Sequence, residues 1–239
     1  MDNKCRIGID VGGTFTDIVA VSDTGTVTFS KAASTPNDPS IGVMNAVERL
    51  ADELGINSET LLSKTESIVH GTTVATNALL ERKGAKTGLL TTLGHRDVLE
   101  MREGLKDDRY NMRLPAPAPL VPRFLRLGVR ERIKPDGRIH TELDNTSLDE
   151  AINKLREEKV TSVAVCYLHA YKEPKHEQET KKILEAKLPG VSVSISSEVF
   201  PEIKEYERVS TTIVNAYVRP IVENYLNRLE ERLKNAGYK

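Results

Sequence analysis

The run from Ile7 to Val21, IGIDVGGTFTDIVAV, decides the fold. Apolar residues lead to Val11, two glycines follow, and an apolar run resumes through Ile18-Val19-Ala20-Val21. The pattern predicts strands at 7–11 and 14–21 joined by a turn at Gly12-Gly13. It matches neither a Walker loop, which needs a lysine after its second glycine, nor a dinucleotide fingerprint, whose glycines open a helix. Alternation puts Asp10 on the face opposite Ile9 and Val11. An aspartate inside a buried strand is costly without a partner, and a hydrated Mg2+ is one such partner. Glycine has no Cβ to keep backbone N–H groups from an anion, and a side chain at Gly13 would also penalise a positive φ. Thr14 and Thr16 add hydroxyls at the same edge, with Asp17 beyond them. The constellation suits the terminal phosphates of a Mg-nucleotide. The plainer reading is a tight hairpin whose Asp10 caps a turn.

The chain has 239 residues, enough for one large domain or two small ones. Its formal net charge of -1 argues against a general nucleic-acid or membrane-surface role. The absence of tryptophan leaves little material for stacking bases. Cys5 and Cys166 have no metal-type spacing and read as reduced thiols of a cytoplasmic protein. No apolar run approaches membrane-spanning length, and Met1 to Arg6 leads straight into the first strand, so neither an anchor nor a leader is expected.

Further strands are expected at Thr26–Ala32, around Ile68-Val69, at Thr87–Thr91, Val160–Leu168 and Val191–Ser196. Asp38 and Pro39 start a helix with the stripe Ile41, Met44, Val47, Leu50, Ala51 and Leu54, stopped by Gly55. Residues 103–138 hold Pro115, Pro117, Pro119 and Pro122 and read as a strand-poor insertion or stiffened loop, with a polyproline ligand as the other reading. Asp136-Gly137 marks a hairpin turn. Ser147 and Glu150 fit a capping box for a helix over Leu148–Lys159, and another helix covers Pro174–Leu188. Strand–helix–strand order implies parallel pairing. From Glu205, apolar residues recur every four positions from Val209 to Leu233, giving one long helix or two, with Pro220 at the kink or boundary.

His70-Gly71-Thr72-Thr73 lies between a strand and a helix, where its N–H groups and hydroxyls can hold an anion or simply cap the helix. Asn77 lies one turn beyond Thr73. His95, Arg96, Asp97 and Arg102 follow a strand and line a cleft or a solvated helix start. Glu205, Glu207 and Arg208 read as a salt-bridged helix face or a cleft wall. His140, His169 and His176 lack ligand-like spacing, so no zinc site is expected.

DVGGTFTD resembles the first phosphate motif of the actin, sugar-kinase and heat-shock ATPase superfamily. The resemblance implies an α/β fold: an actin-like ATPase (ribonuclease-H-like) lobe with a mixed sheet and flanking helices. More narrowly, the chain resembles the hydantoinase A/5-oxoprolinase family, which includes N-methylhydantoinase A and related acetone and acetophenone carboxylase subunits. The match rests also on VHGTTVATNALLERKGAKTGLLTTLGHRDVLEMR from Val69, LVPRFLRLGVRERI from Leu120, and EIKEYERVSTTIVNAYVRPIVENYL from Glu202.

That resemblance implies an ATP-dependent cyclic-amide hydrolase that phosphorylates an amide carbonyl so that water can open the ring. Its cofactors would be ATP and Mg2+, its partner a hydantoinase B-type subunit, and its state oligomeric. An equivalent ketone-carboxylase subunit and a non-catalytic assembly subunit are the alternatives. It further implies Asp10 both at the metal and in catalysis, His70 and Thr72 in catalysis, and Gly12, Gly13, Thr14, Thr16, Asp17 and Thr73 at the nucleotide. Residues 1–200 would form the N-terminal hydantoinase/oxoprolinase domain, with an insertion near 103–145, and 201–239 the start of a following helical domain. Family members continue further, into a second phosphate loop and an adenosine pocket. Here Gly190 and Gly237 are the only glycines after Gly137, so half a nucleotide site is expected, in a piece of a longer protein or a small subunit that borrows the rest.

Overall fold

The computed structural model of the chain describes residues 4–104, 108, 110–115 and 117–239. The start of the Met1–Arg6 lead and Ala116 of the proline run lie outside the described residues. The chain divides into two compact units, 1–83 with 221–239, and 84–220.

In the first unit, strand β1 (Cys5–Val11) pairs antiparallel with β2 (Phe15–Ser22), and β2 with β3 (Val27–Ala33). Helices α1 (Pro39–Glu53) and α2 (Ser58–Ser63) follow, and then β4 (Thr65–Thr72), which lies parallel to β1. The sheet order is β3-β2-β1-β4. A short helix, α3 (Val74–Leu80), leaves the end of β4. Period-two alternation is clear in β1, where Cys5, Ile7, Ile9 and Val11 are buried and Arg6 and Asp10 are exposed.

Helix α1 starts as the sequence predicts, with the Asp38 carboxylate accepting from the Ser40 N–H at 3.2 Å. Gly55 follows its end at φ +69°, the left-handed conformation that suits glycine after a helix. The buried stripe differs from the predicted one. Val47, Leu50 and Ala51 are inside with Gly42, Val43 and Ala46, whereas Ile41 and Leu54 are exposed. The small residues Gly42 and Ala46 carry little apolar signal, yet they let the helix lie close: a Cβ on Gly42 would sit 3.2 Å from the Thr35 nitrogen. Truncating a fully buried residue such as Leu50 to alanine costs about 2–5 kcal/mol.

The second unit is built on β5 (Thr87–Thr92), followed by the short helix α4 (Val98–Met101). A 3-10 turn at Arg123–Leu125 leads into β6 (Arg126–Val129), and β7 (Arg132–Ile133) pairs antiparallel with β8 (Ile139–Thr141) around the expected Asp136-Gly137 turn. Helix α5 (Asn145–Glu157), β9 (Ser162–Cys166), α6 (Lys175–Lys187), β10 (Ser192–Ile195) and the short α7 (Ser196–Val199) complete it. The sheet is parallel throughout, in the order β10-β9-β5-β6. All residues of β5 and β9 are buried, as expected for strands covered on both faces.

Two local readings are corrected here. The segment read as strand-poor contributes β6, whose Arg126 and Gly128 conceal a strand signal because the arginine is buried and bonded to the Val121 carbonyl at 2.9 Å. The N-cap of α5 is Asp144, whose carboxylate accepts from the Ser147 N–H at 3.1 Å, so Ser147 lies inside the first turn rather than at its start.

Helix α8 (Glu205–Asn235) is one continuous helix with Pro220 inside it. Its residues up to Pro220 belong to the second unit, and those from Ile221 to the first. The predicted four-residue recurrence holds: Val209, Ile213 and Tyr217 are buried before the proline, and Tyr225, Leu229 and Leu233 after it. The fold class is α/β with a mixed sheet and flanking helices, of the actin-like ATPase type that the sequence implied.

Candidate functional site

The glycine turn is held from beneath. The Gly12 N–H donates to the Phe15 carbonyl at 3.0 Å, closing the hairpin. Ser34, at the end of β3, donates its hydroxyl to the Gly12 carbonyl at 2.8 Å and its N–H to the Thr14 carbonyl at 2.9 Å. The Thr73 N–H donates to the Val11 carbonyl at 3.2 Å, which ties the start of α3 beside the turn. The carbonyls of Val11, Gly12 and Thr14 are thus engaged. Among the described residues, nothing accepts from the backbone N–H of Gly13 or Thr14, and both residues are exposed.

Gly13 does not have the positive φ anticipated for it. An added Cβ would have Asn77 Nδ2 as its nearest neighbour at 3.7 Å, an ordinary contact. Neither backbone conformation nor packing within the unit demands glycine there. Gly71 has a definite neighbour, since a Cβ on it would lie 3.4 Å from Asp10 Oδ1.

The strand register sorts the predicted residues between two faces. Asp10 lies opposite Asp17 on β2 and Gly71 on β4. Its side is the open one, so the burial argument for a counter-ion is corrected: Asp10 is exposed, while residues of α1, α2 and the end of the long C-terminal helix pack with Ile7, Ile9 and Val11 on the other face. Asp17 is paired with Lys31 at 2.9 Å, its cross-strand neighbour on β3. Among the described residues no ion pair engages Asp10. Asp10, Asp17, Lys31 and Gly71 line an open depression of about 970 Å³, with Phe29 and Val69 as its apolar walls.

Thr16 lies on the covered face. It is fully buried and stands 3.1 Å from the Ser34 hydroxyl, beneath the turn rather than at its edge. Gly12, Gly13, Thr73 and Asn77 line a separate groove of about 580 Å³, together with Tyr225 and Arg228 of α8. Asn77 Nδ2 donates to the Thr73 hydroxyl at 3.3 Å, so the structure brings these two together as the sequence suggested. The Thr72 hydroxyl accepts from the Val74 N–H at 3.2 Å, a local cap.

His70 pairs with Ile9 in register, which turns it away from Asp10. Its Nε2 shares a short hydrogen bond with the Tyr225 hydroxyl, and the two rings stand 5.5 Å apart. Burial lowers the His70 pKa, while a backbone hydrogen bond and then the charge of Asp10 pull the other way. Burial pushes the Tyr225 hydroxyl up to about 12.

The second unit has its own cleft, of about 620 Å³, beyond the carboxyl ends of β5 and β9. His95 and Arg102 line it with Glu205 and Glu207, so the two sequence runs meet there. Asp97 is instead held by Arg123 through contacts of 2.9 and 3.0 Å. His176 is buried against Glu131 at 2.9 Å. Both cysteines are buried and unpaired with each other, and burial raises the Cys166 thiol to about 12. Among the described residues no helix is long and apolar enough to cross a membrane.

Sequence reasoning missed Ser34, Lys31 and Tyr225. Lys31 was within reach, because a tight turn near Gly25 sets the β2–β3 register and places Lys31 opposite Asp17. Tyr225 was not, being 155 residues from His70.

A mixed sheet carrying a DxGGT hairpin at the carboxyl end of its inner strand β1 gives a lobe of the actin-like ATPase class. The chain belongs to the hydantoinase/oxoprolinase family: the model of its N-terminal region matches residues 6–188. It is 42% identical to the caprolactamase subunit alpha of Pseudomonas jessenii, over 97% of this chain and 34% of that protein. It is 36% identical to the acetophenone carboxylase gamma subunit of Aromatoleum aromaticum, over 97% of this chain and 33% of that protein. The crystal structure of the ATP-dependent caprolactamase from Pseudomonas jessenii superposes with a TM-score of 0.90 at 41% identity, covering 98% of this chain and 34% of that one. The chain therefore spans about a third of the length of these relatives.

Proposed function

We propose that this chain is the N-terminal ATPase-lobe part of an ATP-dependent cyclic-amide hydrolase of hydantoinase/oxoprolinase type. The observation that carries the reading is the pair of N–H groups at exposed Gly13 and Thr14 that meet no acceptor among the described residues, in the turn that follows the strand carrying Asp10, whose carboxylate has no ion pair there. Such donors suit phosphate oxygens, and an unpaired carboxylate suits a hydrated Mg2+. The residues present therefore fit Mg-ATP. When bound, it supplies the phosphoryl group that makes an amide oxygen a leaving group.

In this reading Gly13 and Thr14 bind phosphate oxygens through their N–H groups, and Gly12 closes the turn that presents them. Asp10 holds the hydrated cation, and Gly71 leaves room for its carboxylate. Thr16 positions the turn through Ser34. Thr73 and Asn77 border the groove beside the glycines. Asp17, engaged by Lys31, shapes the charge of the open face. Thr72 sets the start of α3, and His70 acts through Tyr225, which lines that groove. The family boundary near residue 200, with a further helical domain from 201, belongs to the same proposal, as do a hydantoinase B-type partner, an oligomeric state and a cytoplasmic setting. Support for a partner comes from the names of the relatives, which are subunits.

Substrate class is weighed by similarity. A lactam is a cyclic amide, and the caprolactamase subunit is 42% identical against 36% for the acetophenone carboxylase subunit. The test is phosphate release by the native full-length protein with its natural partners, using lactams, hydantoins, 5-oxoproline and ketones. Stimulation by cyclic amides is expected. Stimulation by ketones with bicarbonate alone would favour the carboxylase reading, and no ATP turnover with any substrate would leave the assembly-subunit reading.

A further inference from the structure

In the second unit, Arg208 is 2% exposed, and its Nε and Nη1 have no hydrogen-bond partner. No ion pair engages it among the described residues; the face of Tyr171 lies 5.4 Å from the guanidinium carbon, and Cys166 and His169 also feel its charge. A buried guanidinium without acceptors is unfavourable, so native structures supply an oxygen. Arg208 lines a void of about 20 Å³ together with His95, Leu168 and Glu205. Those three residues also line the cleft of about 620 Å³ beyond the ends of β5 and β9.

The charges around this double cavity favour an anion. Arg102, Arg132, Lys204 and Arg208 face Glu103, Glu205 and Glu207. Lys204 already answers Glu207 at 3.0 Å and Glu103 at 3.7 Å. Four cations thus stand against three carboxylates, a balance of one positive charge, and Arg208 is the cation buried without an ion pair among the described residues. His95 Nε2 stands 3.0 Å from Arg132 Nη1, and burial, then Arg132, lowers the His95 pKa, which favours the neutral ring. Three lining residues also hold left-handed φ without being glycine: Arg102 at +54°, His169 at +56° and Lys204 at +82°. Such conformations are costly and gather at binding sites.

We propose that this cleft binds the carboxylate of a small organic acid, with one oxygen entering the inner void toward Arg208 and the body of the ligand in the outer cleft. The inner void has room for a single oxygen, and the outer cleft, with Val98, Met101 and Leu168 in its lining, suits the carbon body of an organic acid better than inorganic phosphate. The proposal stands on the second unit alone and does not depend on the nucleotide reading.

The test is an amide NMR titration of the 239-residue chain with acetate, benzoate and inorganic phosphate, against sodium chloride at matched ionic strength. Saturable shifts at His95, His169 and Glu205 with the carboxylates are expected. Arg208→Gln should weaken them by about tenfold or more, the loss expected for one charge-assisted contact. Arg132→Gln, at a half-exposed position, serves if the Arg208 variant fails to fold, and should weaken them in the same direction. Shifts that follow chloride equally, an absence of saturation, or preferential saturation by phosphate would each overturn the proposal.

Discussion

Asp10 and His70 occupy neighbouring parallel strands but opposite faces of the sheet, because Asp10 pairs in register with Gly71 and His70 with Ile9. One carboxylate looks onto the open depression, and the imidazole meets Tyr225 of α8. Roles for them therefore separate into charge at the phosphates and positioning of α8, and the predictions test each side alone.

Gly13→Val is expected to leave stability nearly unchanged, within about 0.5 kcal/mol, because no left-handed φ and no tight contact holds that position. Affinity of the complete protein for Mg-ATP should fall, since the new side chain covers the N–H groups of the turn. Thermal unfolding and calorimetric titration of the same variant check the two halves. A large loss of melting temperature with intact affinity would return the glycine to a purely structural role.

Gly84→Ala should behave oppositely. A Cβ there would fall 2.0 Å from the Tyr217 ring, while the neighbouring Ala85 N–H donates to the Tyr217 carbonyl at 2.9 Å and keeps the segment close. Overpacking of this kind costs about 1–3 kcal/mol. Urea unfolding should show a lower midpoint with an unchanged slope. An unchanged midpoint would mean that the tyrosine moves aside freely.

The His70–Tyr225 contact predicts an acid-sensitive contribution to stability. Burial holds the folded-state pKa of His70 below its ordinary 6.5, so the unfolded chain takes up the proton more readily. The contribution is complete above pH 6.5 and is lost as pH falls through that value toward the folded pKa. Unfolding midpoints measured from pH 8 to pH 5 should fall less steeply in His70→Gln than in the parent. Parallel curves would show that His70 titrates alike in both states.

Much of this was legible in the sequence for identifiable reasons. The β1–β2 hairpin, the Asp38 cap and the recurrence along α8 rest on local chemistry and short periods, and local rules recover them. Strand β6 was missed because its Arg126 is buried by a carbonyl contact that no periodicity announces. The covered position of Thr16 follows from alternation, since Asp17 pairs with Asp10 on the open face and Thr16 with Val11 on the covered one. Arg208 read as half of a salt bridge on a helix face, and only the packing around Tyr171 and Leu168 shows it buried without an acceptor.

The central claim is that the hairpin of Asp10, Gly12, Gly13 and Thr14 serves nucleotide phosphates, and Asp10→Asn tests it most directly. The substitution is nearly isosteric at an exposed position with no ion pair among the described residues, so the fold should be retained. The measurement is lactam-coupled phosphate release by the native full-length protein, parent against variant, with circular dichroism to confirm folding. The account predicts a fall of roughly two decades or more, each decade being about 1.4 kcal/mol of lost stabilisation. Turnover within a few-fold of the parent in a folded variant would contradict it.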